Sequence, residues 1–266
     1  MTTLAEVRLW GRTIGAVSLE ENGQTAAFEY DPLFARSGIE ISPLVMPLST
    51  QVYRFPELPF NTFHGLPGLL ADSLPDRFGN ALINSWLAAQ GRTPDSFNAV
   101  ERLCYTGRRG MGALEFRPMT GPTARKANPI EIDRLVELAS EVLTQRTQLD
   151  TSFGRSEEEH AMRDILRVGT SAGGARAKAV IAWNPRTDEV RSGQVDAPEG
   201  FAQWLLKFDG VHDAQLGAPA GYGRIEYAYH LMATAAGIRM MPCRLLEEGG
   251  RAHFMTRRFD RDGSGG

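Results

Sequence analysis

Hydrophobic and polar residues alternate along the first sixty positions, a pattern typical of strands with one buried face. Val7 and Leu9 form one alternating run, and Val17 belongs to a second. A period of two places such residues on the same side of a strand. The dipeptide Asn22-Gly23 tolerates the left-handed backbone of a tight turn. The pattern predicts a small β-meander at the N-terminus.

The spacing becomes helical after residue 75. Apolar residues recur every three or four positions from Asp76 to Gly91, which predicts a helix capped near its proline. A second helix is predicted from Thr93 to Gly107, and a glycine-rich turn then enters a strand near Phe116. Residues 118–128 are polar and rich in turn formers, which predicts a mobile linker.

The second half mixes strands and helices. Helices are predicted from Asn128 and after a capping box at Ser156. Two strands follow, at 179–183 and 201–208. The next helix, 224–236, carries an apolar stripe at Ile225, Tyr229, Met232 and Ala236. A hairpin around 247–250 ends the pattern, which as a whole predicts an α+β fold.

Composition narrows the functional classes. The chain has 266 residues and a net charge of −3, so no general basic field favours nucleic-acid binding. Cys104 and Cys243 are too few for a disulfide framework or a thiolate zinc site. The five histidines show no metal-ligand spacing, so no metal site is predicted. A charged N-terminus and the lack of a long apolar run favour a cytoplasmic protein without a membrane segment.

Three features carry candidate chemistry. Residues 169–178 form a small-residue loop that ends in a lysine, a composition that suits anion binding but also an ordinary hairpin loop. Lys207 lies in an apolar strand, where it either meets an anion or extends to solvent from an edge. Glu226 lies in the first turn of a helix, which the helix dipole alone would favour. Their order along the chain is that of the nucleotide-binding lobe of a protein kinase.

The sequence resembles the HipA family, the kinase toxins of bacterial type II toxin–antitoxin systems. One block that carries the resemblance is Gly65-Leu-Pro-Gly-Leu-Leu70-Ala-Asp-Ser-Leu-Pro75-Asp-Arg-Phe-Gly79, followed downstream by Gly110-Met-Gly112-Ala-Leu114. The other is Ser171-Ala-Gly173-Gly174-Ala-Arg176-Ala-Lys178, similar to the family's Ser-x-x-Gly-x-Gln-x-Lys phosphate loop. The resemblance implies an N-terminal meander-plus-helices subdomain at 1–118, a linker and connecting helices at 119–168, and a kinase-like N-lobe at 169–266.

The resemblance also implies roles for individual residues. The ATP phosphates would contact Lys207 and the end of the loop, and Glu226 would hold that lysine in place. The hinge that receives the adenine would be Arg257 to Phe259. Ser171 matches a serine that the family autophosphorylates. The implied ATP-binding residues are Gly173, Gly174, Ala175, Arg176, Ala177, Lys178, Lys207, Arg257, Arg258 and Phe259. Arg176 stands where the family has glutamine, and Arg257 where it often has glutamate.

The family's catalytic aspartate and its metal ligands correspond to positions beyond residue 266, so no catalytic residue and no metal ligand is assigned in this chain. The resemblance further implies that the kinase C-lobe is absent from this chain, and we expect the chain alone to be inactive. The full-length protein would use Mg²⁺ and ATP to phosphorylate a protein of the aminoacyl-tRNA synthetase class. It would bind a small HipB-like DNA-binding antitoxin, and DNA only through it. Two alternatives stay open: a non-catalytic module that binds an antitoxin and contributes to operator repression, and an unrelated enzyme with a phosphate ligand.

Overall fold

The computed structural model describes residues 4–21, 23–120, 130–144, 176–193, 199–213 and 221–261. The chain divides into a first unit, Met1–Pro75 with Asp95–Gly121, and a second unit, Asp76–Pro94 with Pro122–Gly266. The helix predicted after Ser156, loop residues 169–175 and most of the predicted linker lie outside the described residues.

The first unit is built on the predicted meander. Its five strands are β1 (Leu4–Leu9), β2 (Arg12–Leu19), β3 (Ala26–Tyr30), β4 (Val52–Tyr53) and β5 (Leu114–Arg117). They form an antiparallel sheet in the order β4-β3-β2-β1-β5. The alternating residues Val7 and Val17 are fully buried on one face, as the period of two predicts. The predicted N-terminal sheet is therefore confirmed.

Three α-helices complete the first unit: α1 (Phe60–Phe63), α2 (Gly68–Ala71) and α4 (Ala99–Thr106). Helix α3 (Arg77–Ala88), which precedes α4 in the chain, belongs to the second unit. The predicted start of α4 at Thr93 is wrong, because a short 3-10 turn occupies Pro94–Ser96. Asn98 caps the helix instead, accepting from Glu101 N–H while the Glu101 carboxylate accepts from Asn98 N–H. This capping box satisfies two backbone donors at once. The predicted end at Gly107 is confirmed.

The second unit contains another five-stranded antiparallel sheet. Its strands are β6 (Lys178–Asn184), β7 (Glu189–Ser192), β8 (Ala202–Lys207), β9 (Cys243–Glu248) and β10 (Arg251–Arg257). They lie in the order β7-β6-β8-β10-β9. The two strands and the hairpin predicted for this half are confirmed. The molecule thus has mixed helices and strands with two antiparallel sheets.

Helices α3 (Arg77–Ala88) and α5 (Ile132–Thr144) cover one face of this sheet. Phe78 and Leu82 of α3 share a buried cluster with Leu135 of α5 and with Ile181 and Leu206 of the sheet. The sequence placed helix α3 in the N-terminal subdomain at 1–118, but its apolar face is buried against the sheet of the second unit. Helical periodicity identifies the face that is buried without identifying the partner that buries it. The predicted boundaries at 118 and 169 stay predictions.

The last helix, α6 (Tyr222–Ala235), lies against β9 and β10. Three residues of the apolar stripe noted in its sequence, Ile225, Tyr229 and Met232, are 46%, 67% and 65% exposed. Gly223 is its only fully buried residue. Among the residues that the structure describes, these stripe residues are therefore not part of a buried core. No helix in the described ranges combines the length and the apolar character needed to cross a bilayer.

Candidate functional site

Lys207 and Glu226 meet across the face of the second sheet opposite α3 and α5. Leu206 points into the cluster buried beneath those helices, and the period of two along β8 directs Lys207 to the other face. There its Nζ donates to Glu226 Oε2 of α6 at 2.6 Å. The two side chains are 35% and 30% exposed. The structure therefore brings together the two residues that the sequence paired, with the ammonium still accessible to solvent.

The lysine at the end of the predicted phosphate loop lies in a different environment. Lys178 opens β6 and is the Cα partner of Lys207 in the β6–β8 ladder. Its Nζ donates to Asp76 Oδ2 at 2.5 Å, and the two side chains are only 2% and 6% exposed. Like charges directly opposite one another destabilise a sheet. The separate carboxylates at Asp76 and Glu226 offset that repulsion.

Asp76 also caps α3. Its Oδ1 accepts from Gly79 N–H at 2.9 Å, so its two carboxylate oxygens serve different partners. The neighbouring Arg77 forms an ion pair with Asp213, whose side chain is 5% exposed. The sequence predicted only a capped helix start near Asp76 and missed both tertiary pairs. The only sequence signal for the first pair is that Lys178 stands at the start of a buried strand, where an ammonium requires a carboxylate.

The remaining described residues of the loop are Arg176 and Ala177. Ala177 is buried. The Arg176 guanidinium carbon lies 3.4 Å from the centroid of the Tyr222 ring at the start of α6. Ser171, Gly173, Gly174 and Ala175 lie outside the described residues, so their predicted contacts stay predictions.

The predicted hinge follows β10. The backbone N–H of Arg257 donates to Pro242 O at 2.9 Å, and that of Arg258 to Gln203 O at 3.0 Å. The Arg258 side chain is 3% exposed and forms an ion pair with Asp260 at 2.6 Å. In contrast, Phe259 is 80% exposed. Of the three predicted hinge side chains, the Phe259 ring is thus the one that offers a wide apolar surface to a ligand.

His253 of β10 is a buried titratable group that the sequence did not single out. It is fully buried, and its Nδ1 accepts from Asp209 N–H at 2.9 Å. That hydrogen bond places the proton of the neutral ring on Nε2. Burial lowers the pKa of His253, and this outweighs the opposite effect of Asp209 and Asp133. Folding therefore favours the neutral form of this imidazole.

The residues of this region fit the nucleotide only in part. Lys207 is accessible and oriented by Glu226, which suits contact with a phosphate oxygen. Lys178 would have to leave Asp76 to make such a contact. Among the residues that the structure describes, no group of three or more histidine, cysteine, aspartate or glutamate side chains lies close enough to hold a metal ion. The described residues therefore do not form a Mg²⁺ site.

Comparison with known proteins gives two family matches and a structural one. Residues 5–117 match the HipA N-terminal domain, and residues 170–265 match the HipA-like C-terminal domain. The solved complex of HipA, HipB and operator DNA from the Shewanella oneidensis MR-1 toxin–antitoxin system contains a similar chain, with a TM-score of 0.58 and 17% identity. The match covers 97% of this chain and 51% of that one, so this chain spans about half its length. At that identity the likeness shows a shared fold. No curated protein matches significantly.

Proposed function

Because the chain belongs to the HipA family, we propose that it is the N-terminal part of an ATP-dependent serine/threonine kinase toxin. The observation that carries the proposal is the ion pair between Lys207 of β8 and Glu226 of α6, at 2.6 Å. In protein kinases a strand lysine contacts the nucleotide phosphates, and a helix glutamate orients that lysine. The second unit would then be the kinase N-lobe.

In this proposal Lys207 neutralises phosphate charge, and Glu226 restricts where its ammonium can lie. Phe259 offers an exposed ring for the adenine. Phosphoryl transfer further needs a carboxylate that accepts the substrate hydroxyl proton, together with ligands for Mg²⁺, which bridges the phosphates when bound. The described residues provide no such metal cluster. We therefore expect transfer only from a polypeptide that also carries those groups.

The exposed apolar stripe of α6 supports the proposal that another polypeptide segment packs against this helix. Ile225, Tyr229 and Met232 present large apolar side chains to solvent on one helix, and surfaces of this kind usually mark sites of association. A further segment of the full-length protein, corresponding to the other half of the Shewanella HipA, would pack against this stripe. This arrangement would also enclose the Lys207 side of the sheet.

The deciding experiment is phosphate transfer from radiolabelled ATP by the complete gene product. Lys207→Met and Glu226→Gln should each lower the rate by at least about tenfold, because phosphate charge stabilisation is the main catalytic contribution of such residues. Arg224→Gln is the matched control, since Arg224 lies on the same helix as Glu226 and forms only an exposed ion pair, with Glu247 of β9. Unchanged transfer by Lys207→Met would refute the proposed role of the pair.

Two finer parts of the proposal rest on the resemblance. The substrate would be a protein of the aminoacyl-tRNA synthetase class, identified by mass spectrometry of phosphorylated proteins. Ser171 would be autophosphorylated, and its added charge would compete with the ATP phosphates for the same loop. Equal ATP affinity for the parent protein and Ser171→Asp would contradict the regulatory role.

A second candidate function is antitoxin binding without catalysis. It is favoured by the Shewanella structure, in which HipA is assembled with HipB and operator DNA. In that case this chain would bind a small HipB-like antitoxin and contact DNA only through it. An operator mobility-shift assay tests this. Adding the chain should further retard the complex of antitoxin and operator DNA, whereas the chain without the antitoxin should leave the DNA unshifted.

A further inference from the structure

Gly223 is the only buried residue of helix α6, and Tyr227, His230 and Ala233 are only partly buried, so directed contacts in the first turns contribute to where the helix lies. Its large apolar residues Ile225, Tyr229 and Met232 are each at least 46% exposed. Arg224 pairs with Glu247, but both side chains are at least 60% exposed. Exposed pairs of this kind contribute little. The helix position must therefore depend on other contacts.

Two of those contacts lie beside the Lys207–Glu226 pair. At Gly223 the helix approaches β10 so closely that a Cβ would lie 2.0 Å from Ala252 O. At Tyr222, the ring packs under the Arg176 guanidinium at 3.4 Å from its centroid. Glycine allows the helix to come close, whereas the arginine–aromatic stack supplies attraction.

The spacing connects this stack to the ion pair. Tyr222 and Glu226 are four residues apart, so they lie on the same face of the helix, one turn from each other. Arg176 precedes Lys178 by two residues, and Lys178 is the Cα partner of Lys207. One helix face therefore contacts the segment just before β6 through Tyr222 and contacts β8 through Glu226.

We propose that Arg176 is a positioning residue that, through the Tyr222 ring, fixes the first turns of α6 so that Glu226 meets Lys207. The inference deepens the proposed function, because it assigns the residue that orients the Lys207–Glu226 pair. It also explains how an arginine can stand at a loop position where the family motif has glutamine. A glutamine has no planar cation to stack on the ring.

The test is zero-length carbodiimide coupling in the 266-residue chain, which joins a carboxylate to an adjacent amine as an amide with loss of water. The measured quantity is the yield of the Lys207–Glu226 cross-linked peptide by mass spectrometry. Arg176→Gln and Tyr222→Ala should each lower that yield by about threefold or more, and Tyr222→Phe should restore it because the ring is retained. The double variant Arg176→Gln/Tyr222→Ala should lower it no further than either single change.

Controls keep the result specific. Arg224→Gln should leave the yield unchanged, and Glu226→Gln should abolish the cross-link. Arg176 and Tyr222 are both at least partly exposed, and circular dichroism verifies that their variants fold. A wild-type yield in Arg176→Gln, or additive losses in the double variant, would overturn the proposal. The assay uses no nucleotide, so it can fail while phosphate transfer by the gene product succeeds, or the reverse.

Discussion

Replacing Asp76 by asparagine should destabilise the second unit far more than the loss of a helix cap does. Asparagine and aspartate are comparable N-caps, so Asp76→Asn keeps a side-chain acceptor for Gly79 N–H. It removes the charge that faces Lys178, whose side chain is 2% exposed. Removing one partner of a buried ion pair costs about 3–5 kcal/mol, because the remaining charge is left uncompensated.

The assay is urea unfolding followed by tryptophan fluorescence, since Trp183 and Trp204 lie in the core of the second unit. With a denaturant slope of about 2 kcal/mol per molar, a loss of 3–5 kcal/mol lowers the midpoint by roughly 1.5–2.5 M. The paired replacement Asp76→Asn with Lys178→Met removes both charges and should recover much of the loss. A shift below about 0.5 M for Asp76→Asn, or no recovery in the double variant, would refute the reasoning.

Three further outcomes are expected. Burial lowers the pKa of His253 below its ordinary value of 6.5, so unfolding takes up a proton as the pH falls below that value. The free energy of unfolding should therefore decrease by up to about 1.4 kcal/mol for each pH unit of acidification. His253→Asn keeps an acceptor for Asp209 N–H and should remove the contribution of this histidine to the pH dependence between pH 7 and 5.5, as measured by urea unfolding. Burial raises the pKa of Cys104 to about 11, so about one Cys104 thiol in a thousand is ionised at pH 8. Iodoacetamide should therefore label Cys104 only when the first unit unfolds. Labelling at the rate of a free thiol would contradict its burial. Asn98→Ala should lower the thermal stability of the first unit by about 1 kcal/mol, and a calorimetric scan without any shift would show that the capping box is dispensable.

Local signals predicted the elements of this fold well. The segment Ser73-Leu-Pro75-Asp76 predicted a capped helix start, and the structure has Asp76 as the cap, with Gly79 N–H as its donor. The same kind of signal failed at α4, because Thr93-Pro94-Asp95 indicates a helix start, whereas a 3-10 turn occupies Pro94–Ser96 and the helix begins after Asn98. The reciprocal bond from Glu101 decides in favour of Asn98.

Tertiary partners were less accessible to the sequence. Lys207 and Glu226 were paired by their order along the chain, and the structure brings them to 2.6 Å. The partner of Lys178 was missed because Asp76 lies 102 positions earlier. Ion pairs follow no sequence periodicity, so the sequence does not indicate which of the chain's carboxylates pairs with Lys178. Only the packing of α3 on the second sheet selects Asp76.

Helices α5 and α6 show why an amphipathic pattern does not by itself determine what holds a helix in place. Both have apolar residues at helical spacing, but α5 has seven buried residues and α6 has one. Burial acts along the whole length of α5, so loss of a single surface charge should hardly move it. For α6, which has one buried residue, we propose that directed contacts at its start supply much of what holds it in place. A change at Arg176 or Glu226 is therefore expected to displace α6, whereas a surface charge change on α5 is expected to be silent.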